Sequence, residues 1–108
     1  MLSHDFNKKG IATMGLKEAY LEKREAELNE WDAEIKKLEA KAAKAKAVTK
    51  IQYYEHLRSL RTKRETAQEK LLELKKASGE AWKSVKVGVE SAWQDLKSGL
   101  KGAAEKFR

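Results

Sequence analysis

The chain has 108 residues, no cysteine, no proline, 41% hydrophobic but only 7% aromatic content, and a formal net charge of +7. That length and composition allow one small domain with a thin core, and the lack of cysteine excludes a disulfide framework and any thiolate metal site. No apolar run reaches the roughly 18 residues of a membrane span and no signal-peptide core stands at the N-terminus, so a soluble, cytoplasmic protein is expected.

Residues 1–15 show no sustained period and hold two glycines, and they read as a flexible tail. From Leu16 to Ala77 there are 62 residues without Gly or Pro, dominated by Ala, Glu, Lys, Leu and Arg, with apolar positions repeating at three and four. A long coiled-coil helix over 16–78 is predicted. Its first half carries Leu21, Leu28 and Ile35 at heptad spacing, interleaved with Trp31 and Leu38. Its second half carries Leu57, Leu60, Leu71 and Leu74, with Tyr53, Ala67 and Arg64 on the same seam.

The two halves mirror each other about Ala47 and Val48, pairing Leu21 with Leu74, Leu28 with Ala67, Trp31 with Arg64, Ile35 with Leu60 and Leu38 with Leu57. Two arrangements satisfy that mirror. The chain can turn within 44–50 and close a hairpin, or the helix can run straight for roughly 93 Å and pair antiparallel with a second chain. The stretch KAAKAKAVTK holds none of the Gly, Asn, Asp or Pro that helix turns recruit, which favours the uninterrupted helix and a homodimer.

Gly79, after Lys75 and Lys76, suits a left-handed helix end. Residues 79–108 then form an amphipathic helix in which AWKSVKVGVES repeats as AWQDLKSGLKG. Eleven residues make three helical turns, so Trp82, Val85, Val89, Trp93, Leu96, Leu100 and Phe107 share one stripe beside a ridge of small residues. Folded back over the second half of the long helix, this segment completes a local three-helix bundle. The expected fold class is therefore all-α.

The stretch GEAWKSVKVGVESAWQDLKSGLKGAAEKF, following a Lys/Glu/Ala-rich helix with an early NEWDAEI, resembles a family of short bacterial coiled-coil proteins known as stress-response or hypothetical proteins. The resemblance covers about residues 15–107 and rests on the paired AWxx[VL]K motifs. It implies a soluble helical protein, a stress-related role and no known catalysis, and it brings no functional residues with it.

No catalytic constellation, metal set or cofactor motif emerges. His4 and His56 are the only histidines and have no cysteine partner, and the carboxylates of Glu22, Glu25, Glu30 and Glu34 read as a solvated helix face. Arg64 in an apolar seam needs a partner. The mirror offers Trp31 and the fold-back offers Trp93, for a cation–π contact worth about 0.5–2 kcal/mol, while the alternative is a packed stem with its head in water.

Charge is unevenly placed. Residues 16–35 carry three Lys or Arg against seven carboxylates, whereas residues 36–64 carry ten against two. Lys36, Lys37, Lys41, Lys44, Lys46, Lys50, Arg58, Arg61 and Lys63, with Arg64, are opposed only by Glu39 and Glu55. They are the candidate nucleic-acid-binding residues, placed by the dimer at its waist. They circle the helix without interleaved aromatics, which favours a solvated charged surface over a binding stripe. Trp82 and Trp93 with flanking Lys83, Lys86, Lys97 and Lys101 also allow membrane-surface binding, although the small-residue ridge suits a protein neighbour better. The leading expectation is a non-enzymatic helical scaffold or interaction protein with a protein partner that the residues do not specify.

Overall fold

In a computed structural model the chain forms three antiparallel helices: α1 (Leu2–Lys44), α2 (Ala47–Lys76) and α3 (Trp82–Lys106). The structure describes residues 2–107, and side chains over residues 15–107. The tail expected over residues 1–15 thus lies, Gly15 excepted, outside the residues whose side chains are described, as does His4. Among the described residues there is no strand, and the three helices share one core.

The uninterrupted helix over 16–78 is corrected by the structure. The chain reverses at Ala45 and Lys46, and each half of the hairpin packs on the other half of the same chain. Principal extents of 63 × 29 × 18 Å replace the long rod.

The turn needs no special residue because it avoids left-handed backbone. The Ala45 N–H donates to the Ala42 carbonyl (3.1 Å), tightening the end of α1. Lys46 then steps into the extended region at φ −68°, ψ 157°, and its carbonyl accepts from the Lys50 N–H (2.7 Å) to start α2. Any L-residue reaches that region without strain. A few helical hydrogen bonds are lost, but two apolar seams meet without the translational and rotational cost of recruiting a second chain.

Lys46 offers a direct check. Its φ matches the value a proline ring imposes, and its N–H donates no backbone hydrogen bond among the described residues. Lys46→Pro is expected to keep stability within about 1 kcal/mol of the parent and to leave the mass at 12.3 kDa by light scattering. A helix continuous through this point would lose ~3 kcal/mol per chain. A large drop in stability would argue for that straight form.

The second turn falls where the sequence places it, but α2 does not end left-handed: Ala77 caps it in extended backbone (φ −67°, ψ 135°), two residues before Gly79. Gly79 is the one described residue at positive φ (56°), and the Ala77 N–H closes α2 on the carbonyls of Glu73 and Leu74. Lys17 of α1 reaches across and donates its Nζ to the carbonyls of Lys75 (2.9 Å) and Ala77 (2.6 Å). A cation there satisfies carbonyls that a helix end leaves open and faces the negative pole of α2.

The core consists of Leu21, Leu28, Ile35, Leu38 and Ala42 from α1, Leu57, Leu60, Ala67, Leu71 and Leu74 from α2, and Val89, Ala92, Trp93, Leu96, Leu100, Ala103 and Phe107 at α3 and its end. Trp31, Tyr53, Trp82 and Val85 are half-buried at its edges. α3 lies chiefly on α2. Part of the small-residue ridge serves that approach: a Cβ on Gly99 would come within 3.1 Å of Leu60 Cδ2, while Ala92 and Ala103 are buried. Gly88 faces only the Lys70 side chain, at 3.6 Å.

Candidate functional site

Folding changes where the basic block lies. Because α1 and α2 run antiparallel from the turn at 45–46, residues 36–44 and 46–64 occupy the same half of the bundle. The central excess of the sequence becomes one end of the three-helix bundle. α3 finishes at that end too, where the Phe107 ring stacks on Tyr53 with centroids 3.9 Å apart. It brings exposed Lys97, Lys101 and Lys106 alongside. The sequence places Lys97 and Lys101 only as flanks of an amphipathic helix. Their proximity to the basic block follows from the fold-back register.

Several of these cations are neutralised. Arg61 pairs with Glu39, and Lys37 lies 3.5 Å from Glu34. Arg64 is not stacked on either tryptophan. Its Nε and Nη2 donate to the two carboxylate oxygens of Asp32 at 2.8 and 2.9 Å, and Nη1 donates to Gln68. The hydrogen bond to Asp32 raises the pKa of Arg64, against an opposing effect of burial. Asp32 follows directly after the mirror position Trp31, so a carboxylate beside the seam was the available signal. A two-point ion pair matches the planar guanidinium better than a ring face does.

Among the described residues, Lys36, Lys41, Lys44, Lys46, Lys50 and Arg58 make no ion pair. All but half-buried Lys50 are exposed, and Lys63 is half-buried with its side chain beside Gly99. Carboxylates at this end are Asp32, Glu34 and Glu39, already engaged, with Glu55, Asp95 and Glu105.

The opposite end is different in kind. There Glu18, Glu22, Glu25 and Glu30 are exposed on α1. A partly buried polar cluster joins α1 to α3: the Tyr20 hydroxyl donates to Glu90 Oε1 (3.0 Å), and Arg24 donates to Glu27 (2.7 Å) and Glu90 (2.5 Å). The Arg24 guanidinium carbon lies 5.0 Å from the Tyr20 ring centroid and 5.5 Å from that of Trp93. The cation–π contact expected of Arg64 is therefore made by Arg24, a residue the seam pattern did not single out. Burial acts against the charge of Arg24, yet its hydrogen bonds to Tyr20 and Glu27 raise its pKa overall. Burial also pushes the Tyr20 hydroxyl above its ordinary value.

The lipid reading of α3 meets a simple fact. Val89, Trp93, Leu96, Leu100 and Phe107 face the hairpin and are at most 9% exposed. Offering that stripe to a bilayer would require releasing α3. His56 is half-buried with its ring edge toward Phe107, and the described residues contain no group of three His, Cys, Asp or Glu placed to hold a metal. No helix among them is long and apolar enough to cross a membrane.

The fold and its surface define an all-α three-helix bundle with oppositely charged ends. No family model, curated protein or solved structure matches the chain.

Proposed function

We propose that this is a non-enzymatic interaction protein, a stiff helical bundle whose working surface is its basic end and whose partners are polyanions. The observation that carries this reading is the gathering of Lys36, Lys41, Lys44, Lys46, Lys50 and Arg58, unpaired within the described chain, onto one end with Lys97, Lys101 and Lys106 beside them. Cations gathered where carboxylates are few are available to an external anion. A nucleic-acid backbone is one such partner, and each phosphate neutralised releases counterions.

Binding of a labelled DNA duplex, as a polyanion probe at two salt concentrations, tests the proposal. Affinity is expected to fall steeply with salt, and the triple variant Lys44→Glu, Lys46→Glu, Lys50→Glu should lose roughly 100-fold and flatten the salt slope by about three. Lys76→Glu, at the opposite end, should bind like the parent. No affinity at low salt, or equal losses at both ends, would refute the assignment.

A further inference from the structure

The basic end also carries the most exposed aliphatic side chains near the turn. Val48 is 74% exposed and Ile51 62%, one helical turn apart on the first turns of α2, followed by Tyr54 at 43%. They stand at the protruding end of the bundle. Phe107 at the end of α3 reaches only as far as Tyr53, so the hairpin apex at Lys46 overhangs it by seven residues, about 10 Å along the helix. Val48 and Ile51 lie on the outward face of α2, in line with exposed Glu55, Arg58, Thr62 and Glu65.

Charge surrounds this apolar tip. Lys41, Lys44, Lys46 and Lys50 stand on the two helices that meet there, and Glu55 is the nearest carboxylate in sequence on α2. Of the other carboxylates at this end, Glu39 is held by Arg61, and Glu105 stands on the last turn of α3.

A nucleic-acid backbone rewards the lysines but does nothing for two aliphatic side chains at the vertex. A bilayer containing anionic lipid rewards both, since lysines attract to its surface while apolar side chains enter the boundary between headgroups and acyl chains. Tyr54, one turn further back, sits at the depth where amphipathic aromatic rings favour the interface. We infer that the overhanging apex docks the intact bundle on an anionic membrane surface, with Val48 and Ile51 entering the lipid and Lys41, Lys44, Lys46 and Lys50 meeting the headgroups. The inference rests on reading the basic end as a polyanion site. It differs from lipid binding by α3, because the apolar stripe of α3 stays in the core.

Flotation with vesicles of phosphatidylcholine alone or with 30 mol% phosphatidylglycerol, roughly a physiological anionic fraction, tests it, alongside the DNA duplex. The protein should float with the anionic vesicles at low salt and remain behind with the neutral ones. Val48→Ser with Ile51→Ser, both at exposed positions, should weaken vesicle binding roughly tenfold or more and leave duplex affinity unchanged. The emission of Trp31, Trp82 and Trp93, all distant from the apex in sequence, should not shift on binding.

If the double variant floats like the parent, attachment is by charge alone and the lipid inference falls while the polyanion reading stands. Duplex binding without flotation likewise overturns the lipid inference and favours nucleic acid. A blue shift of tryptophan emission on binding would place α3, not the apex, in the lipid. Loss of both duplex and vesicle binding would remove both readings together.

Discussion

Replacing Leu96 by alanine is expected to lower the free energy of unfolding by about 2–5 kcal/mol. Leu96 is fully buried in the middle of the α3 stripe, in the one core cluster that all three helices share. Truncation removes apolar surface and leaves a cavity that a packed bundle cannot fully close. A domain of this size has only about 5–15 kcal/mol in total, and each kcal/mol moves its melting temperature by about 4–8 °C. Thermal melting followed by circular dichroism should therefore shift down by roughly 10 °C or more. Leu16→Ala, at a position 65% exposed, should change stability by less than about 0.5 kcal/mol. If the two variants melt alike, α3 is not seated on the hairpin as described.

Removing residues 79–108 should have a larger effect still. α2 makes its most extensive contacts with α3, and without it Leu57, Leu60, Leu71 and Leu74 would keep only the α1 side of their packing. Arg24 would lose Glu90 and the Trp93 ring, and Tyr20 would lose Trp82, now 6.3 Å away ring to ring. A lone two-helix hairpin buries too little apolar area to offset the chain entropy of ordering it. Residues 1–78 are expected to show no sharp thermal transition as a monomer and to bind a hydrophobic dye such as ANS. A monomeric fragment melting within a few degrees of the full chain would show that the hairpin is self-sufficient.

The parts of the fold readable from residues are those governed by local or periodic chemistry. Heptad spacing of Leu21, Leu28 and Ile35, and of Leu57, Leu60, Leu71 and Leu74, marks the faces that are buried in the structure. Gly79 marks the second reversal because its positive φ is strained for other residues. The eleven-residue repeat keeps Val89, Trp93, Leu96, Leu100 and Phe107 on one stripe by helical geometry alone.

The first reversal is hidden from sequence reasoning for a specific reason. A missing glycine argues against a left-handed cap, not against a turn, and Lys46 leaves the helix through extended backbone open to any residue. Arg64 visibly needs a partner, but Asp32 lies 32 residues away and is selected by geometry across the hairpin. Arg24 and Glu90 are further apart still, 66 residues, and nothing local to either one announces the other.

By itself the sequence determined that the protein is helical, which faces of its helices are apolar, and how much charge the middle of the chain carries, because these depend on residue type and spacing. Only the tertiary structure decided that the mirror closes within one chain, and that a central run of lysines becomes one end of the bundle with Val48 and Ile51 at its vertex. The physical reason is that a seam states what must be covered, not by which molecule, and that choice rests on whether two residues between helices can reverse the chain at small cost.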